Sequence, residues 1–192
     1  GRKGETWYAL QLAMDTASLT ESDLTIQDIG YTQQAALVGG KVDAVVGFSN
    51  NDAIQIRQAG TPVRTIQVAD RIPLVGVSLV TTRSLLDSRR QDLETVVKAS
   101  IKGMTAFVKD PDAAVEATKD QMDDLKVDQT QATRAREVAV ATGKLVSGDG
   151  SHSIGSVRVD DFTPMIEFLA SHKLLGDKKT PKAAEVCVPL TQ

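Results

Sequence analysis

The sequence predicts an α/β lobe with a central, mostly parallel sheet flanked by helices, followed by a helical C-terminal tail. Three patterns lead there. Short helix-like and strand-like segments alternate over the first eighty residues, the segment at 42–48 is almost continuously apolar, and only long helical periodicities follow residue 82.

The chain opens on a glycine turn, and a helix over 6–18 then places Tyr8, Leu12 and Asp15 on successive turns. The cluster Thr20, Glu21, Ser22, Asp23 precedes an alternating strand at 24–29, and a short helix over 32–38 stops at Gly39 and Gly40. Residues 42–48, VDAVVGF, read as a strand covered on both faces, as the interior of a parallel sheet requires. Ser49, Asn50 and Asn51 offer capping oxygens to a helix over 52–58, which Gly60 ends. Residues 63–68 give a further strand with Pro62 at its edge, and a long strand is expected at 74–81.

Beyond it the texture changes. A helix over 92–109 aligns Leu93, Val97, Ile101, Met104 and Val108 on one face, and Asp110 with Pro111 caps and opens the next. A further amphipathic stretch covers 129–146. A glycine- and serine-rich loop fills 147–156, and a helix over 161–172 buries Phe162, Met165, Ile166 and Leu169. The expected division is a ligand-binding lobe at 1–73, a hinge strand at 74–82 and a helical part at 83–192.

The chain is long enough to bury a sizeable core: of its 192 residues, 41% are hydrophobic and 24% charged, with the two signs interspersed. A net charge of -3 without a Lys/Arg stripe argues against nucleic acid as a partner. The longest apolar runs, at 74–80 and 138–141, are too short for a bilayer-spanning helix. Cys187 is the single cysteine, so no internal disulfide forms, and it reads as an isolated, partly buried thiol.

In an open α/β sheet, ligands bind where strands hand over to helix N-termini. One such loop brings Glu5, Thr6, Trp7 and Tyr8 to the start of the first helix, where uncompensated N–H groups favour an anionic or carbonyl group. The same residues also read as a tight turn with Glu5 complementing the helix dipole, and Tyr8 as core. A second loop, Phe48, Ser49, Asn50, Asn51 and Asp52, ends the most apolar strand; it carries the amides, hydroxyl and carboxylate that suit the edge of a nitrogen heterocycle, or it caps the helix. A third holds Tyr31 and Thr32, with Thr32 either facing the cleft or capping. Four of the seven aromatic residues, Trp7, Tyr8, Tyr31 and Phe48, fall in or beside these loops, where rings would stack on a flat ligand. No nucleophile with a base, metal cluster or carboxylate pair is legible, so no catalysis, metal or cofactor is expected. His152 and His172 lie outside the ligand loops and read as surface histidines.

Three segments together resemble the SsuA/THI5-like (NMT1/THI5) family of solute-binding proteins. GRKGETWY looks like the family's glycine loop at a helix start. GYTQQAALVGGKVDAVVGFSNNDAIQIRQAG follows its order of short helix, apolar strand, polar turn and helix, and RIPLVGVSLVTTRSLLDSRRQDLETVVKASIKGMTAFVKDPDAAVE looks like its returning hinge strand and helical tail. The resemblance implies a periplasmic-binding-protein-like fold of type II, whose two lobes close on a ligand about a hinge. The tail would then belong to the other lobe, whose N-terminal segment is expected ahead of residue 1. It further implies a monomer, periplasmic or on the extracellular face of the membrane by lipid anchor or secretion, that delivers its unaltered ligand to the permease subunits of an ABC importer. The aromatic loops favour a thiamine-pyrimidine precursor or a riboflavin-like ring. A sulfonate, taurine or nitrate carrier, or the effector domain of a transcription regulator preceded by a helix-turn-helix, are the alternatives. Thiamine pyrimidine synthases of the same family consume an active-site histidine, and the ligand-loop segments hold none.

Overall fold

The computed structural model describes residues 2–68 and 75–190. Ten α-helices form among them. In chain order they are α1 (Glu5–Thr16), α2 (Gln33–Val38), α3 (Asp52–Gln58), α4 (Arg83–Ser88), α5 (Arg90–Lys109), α6 (Pro111–Lys119), α7 (Asp124–Val127), α8 (Gln129–Ser147), α9 (Phe162–Ser171) and α10 (Ala183–Val186). Among the described residues none of these helices is long and apolar enough to cross a membrane.

The chain divides into two compact units, one of residues 1–71 and 119–141, the other of 72–118 and 142–192. The first contains α1, α2, α3, α7 and the N-terminal part of α8. Its interior is made by Trp7, Leu12, Met14, Ala36, Ile54, Ile56, Leu125 and Ala139, all buried. Trp7 and Met14 are seven residues apart and share a face of α1, whereas Leu12 lies on another, so this helix is covered from more than one side. Helix α2 packs on α3. Gln58 at the end of α3 reaches α8, donating to Glu137 Oε2 at 2.9 Å and accepting from Arg134 Nε at 3.0 Å. Gln58 and Glu137, with Gln129, Thr130 and Thr133, border a shallow depression of about 340 Å³.

The second unit is built on α5. The Thr82 hydroxyl accepts the Leu85 N–H at 3.2 Å and so caps α4, which packs on α5. At the expected corner, the Asp110 side chain accepts the Ala113 N–H at 2.9 Å, and Pro111 occupies the first helical position of α6. Gly143 of α8 lies against Phe107 and Val108 of α5, and Gly155 against Ile101 and Met104 of the same helix. Arg83 donates to the Glu185 carbonyl at 3.2 Å and ties α4 to α10, which packs on α9. Leu86, Ile166, Phe168 and Cys187 are buried there.

The expected strands at 24–29, 42–48 and 63–68 form no β ladder among the described residues. Asp43, Ala44, Gly47 and Phe48 are exposed, as are Val77, Leu79 and Val80 of the expected hinge strand. A strand exists only through hydrogen bonds to a neighbouring strand. The apolar pattern is therefore present in these segments, but the paired backbone is not. The start of the hinge strand at Leu74 and the loop 70–73 lie outside the described residues.

Candidate functional site

All the predicted ligand residues belong to the first unit. The glycine loop enters α1 through Gly4, whose φ of +81° is a left-handed conformation that favours glycine, and Tyr8 N–H closes the first helical bond on its carbonyl at 3.1 Å. Glycine offers no capping side chain, so the Glu5, Thr6 and Trp7 amides at the helix start have neither an intrahelical acceptor nor an N-cap side chain. Glu5 is exposed, and Thr6 and Tyr8 are half-buried. Trp7 is buried at 8% exposure, with the Arg2 guanidinium 5.5 Å above its ring. That guanidinium also pairs with Glu21. The indole therefore packs inside the unit with a cation over one face.

The second loop adopts a closed turn. The Phe48 carbonyl accepts the N–H groups of Asn51 at 3.1 Å and Asp52 at 2.9 Å, and Asp52 Oδ2 accepts the Phe48 N–H at 2.7 Å. Asn51 Oδ1 accepts from Gln55 Nε2 at 2.8 Å, one turn along α3. Ser49, Asn50, Asn51 and Asp52 are half-buried, whereas the Phe48 side chain is 51% exposed. The third loop turns at Gly30, with φ +58°, whose N–H is accepted by Asp28. The Thr32 hydroxyl donates to the Ile29 carbonyl at 2.7 Å, and Tyr31 stands fully exposed between them.

Because α2 packs on α3, the Tyr31–Thr32 turn and the 48–52 turn lead into neighbouring helices; α1 is not part of that packed pair. The polar depression lies elsewhere, between Gln58 and the first turns of α8. Sequence reasoning missed Gln58, Arg134 and Glu137. Their pairing joins positions more than seventy residues apart, and only the three-residue spacing of Arg134 and Glu137 on one helix face hinted at a shared partner. The place of Arg2 over the Trp7 ring depends on the turn at Gly4, which residue spacing does not give. Among the described residues no three His, Cys, Asp or Glu side chains gather as a metal ion would require.

The NMT1/THI5-like family model matches residues 3–114, and the chain belongs to that family. It is 32% identical over 116 residues to the riboflavin-binding protein RibY of Chloroflexus aurantiacus, covering 60% of this chain and 33% of that protein. It is 20% identical over 169 residues to the formylaminopyrimidine-binding protein of Halalkalibacterium halodurans, covering 86% of this chain and 51% of that one. The chain thus spans between a third and a half of the length of these curated relatives. No solved structure matches it significantly.

Proposed function

We propose that this chain is part of a solute-binding protein that captures a flat nitrogen heterocycle, of the flavin or aminopyrimidine class, and releases it unaltered to the permease of an ABC importer. The observation that carries this reading is that both relatives, matched over different shares of the chain, are named as binding proteins for such rings. The residues support it: the turn at 48–52 combines a half-exposed ring with amide and hydroxyl groups, which offers apolar stacking beside hydrogen bonds to a ring edge. In this reading residues 1–73 belong to the lobe with the mostly parallel sheet, 74–82 to the hinge strand and 83–192 to the other lobe of a type II periplasmic-binding-protein-like fold. Glu5, Thr6, Tyr8, Tyr31, Thr32 and the 48–52 turn line its cleft, whereas Trp7, expected beside them, is buried in the interior of the first unit. The protein works as a monomer in the periplasm or on the outer face of the membrane. Closure follows from tighter binding to the closed form than to the open one.

Thermal-shift screening tests the ligand class. At about a hundred times its dissociation constant, a ligand that binds the folded state alone adds about 2.7 kcal/mol. For a chain of this size that raises the midpoint by roughly 5–11 °C. Riboflavin or formylaminopyrimidine is expected to do so, and taurine or nitrate is not. A shift with taurine or nitrate alone would replace the ring reading with an anion carrier.

A further inference from the structure

The turn at 48–52 contains a carboxylate that the ligand reading alone would place against the ligand, yet its geometry turns it to the backbone. Asp52 Oδ2 takes the Phe48 N–H at 2.7 Å, while the Phe48 carbonyl takes the N–H groups of Asn51 and Asp52. Both backbone groups of Phe48 are thus satisfied by the residues that start α3. The same carboxylate lies so close to Gly47 that a Cβ there would stand 2.7 Å from Asp52 Oδ2 and 2.9 Å from its Cβ and Cγ. Real Cβ atoms essentially never approach that closely, so the clamp requires glycine at 47. The side chain left outward is that of Phe48, 51% exposed although it is one of the few aromatic rings in the chain.

We propose that Asp52 is a positioning residue and not a ligand contact: with Gly47 it locks the turn so that the Phe48 ring is presented as an apolar platform to the face of a planar, uncharged ring system. This inference rests on the ligand reading of the 48–52 turn and changes the role of one residue within it. A stacking platform gains from being fixed before the ligand arrives, because the ordering cost is then met in folding.

The test compares Asp52→Asn, Asp52→Ala, Gly47→Ala and Phe48→Ala with the parent, all made in the full-length protein, using riboflavin and then formylaminopyrimidine as probes, with circular dichroism to confirm that the helices persist. An asparagine oxygen still accepts the Phe48 N–H, so Asp52→Asn is expected to keep affinity within about threefold. Asp52→Ala and Gly47→Ala are expected to lose about tenfold or more, as Phe48→Ala does. If Asp52→Asn loses as much as Asp52→Ala, the charge itself meets the ligand and the proposal is overturned. Unchanged affinity in Asp52→Ala also overturns it. A full-length parent that binds neither probe defeats the ligand reading, and the lock is then judged by hydrogen exchange of the Phe48 amide. Protection in the parent and Asp52→Asn but not in Asp52→Ala supports the lock; equal exchange in all three refutes it.

Discussion

Replacing Trp7 by alanine removes the largest side chain from the interior of the first unit. At 8% exposure the indole is almost wholly withdrawn from water. Truncating a buried Trp to Ala costs about 3–5 kcal/mol, from lost transfer energy and the cavity left behind. The Arg2 guanidinium, 5.5 Å from the ring centroid, contributes about 0.5–1 kcal/mol of that figure in an exposed setting. The Arg2–Glu21 pair adds little, because its side chains are 65% and 41% exposed and water screens them. For a chain of this length the total corresponds to a drop in midpoint of roughly 6–20 °C. Calorimetry with far-ultraviolet circular dichroism is the assay, since two compact units allow two transitions, and the loss is expected in one of them. Arg2→Ala should lower the same transition by only about 1 kcal/mol. Trp7 is also the single tryptophan, so the parent should emit at the short wavelengths of an indole shielded from water. A Trp7→Ala protein within about 1 kcal/mol of the parent would refute the claim that this ring is core.

Three further outcomes follow from individual contacts. Gly155→Ala combines a φ of +74° with a Cβ placed 2.6 Å from Ile101 Cγ1, whereas Gly150→Ala has a similar φ of +79° and meets nothing within 4 Å; the first should cost about 1–3 kcal/mol more than the second in chemical denaturation, and equal losses would contradict the packing of the 147–156 loop on α5. Burial, and then the charge of Asp161, push the Cys187 thiol above its ordinary range. Its folded pKa is raised, so stability is kept below the unfolded thiol pKa and lost as pH rises past it, and iodoacetamide should label the folded chain far more slowly than the denatured one. The Thr20 hydroxyl and then its backbone N–H hold the Asp23 carboxyl below the usual carboxylate range. That contribution is present above the ordinary carboxylate pKa and lost as pH falls through the lower folded one. Carboxyl NMR titration should show the midpoint moving back up in Thr20→Ala, and an unmoved midpoint would discard the hydroxyl as the main cause.

The helices were the legible part of the fold, because their signals are local. Residues 52–58 form a helix over the expected bounds, although its N-cap Asn51 makes no side-chain capping bond, and α5, α8 and α9 follow their apolar spacing to within two residues at each end. Helices α4, α7 and α10 were not anticipated: at 6, 4 and 4 residues they are too short to establish a helical period. Strand pairing is not a local property, and VDAVVGF carries the composition of a buried strand whether or not a neighbour lies beside it. The site was legible as loops but not as environments. Trp7 is packed beneath an arginine, Tyr31 is fully exposed at a turn, and Phe48 stands half out of a closed loop. Aromatic identity at a loop position predicts a large apolar surface; which side of the surface it takes depends on contacts such as Gly47 with Asp52, which no spacing rule reveals.

Isothermal titration of the full-length protein with riboflavin and with formylaminopyrimidine, followed by chromatography of the recovered ligand, bears most directly on the binding claim. Saturable one-to-one binding of at least one ring compound, its recovery unchanged, and weaker binding in Phe48→Ala are expected. Absence of binding to both, or conversion of either into a product, would contradict it.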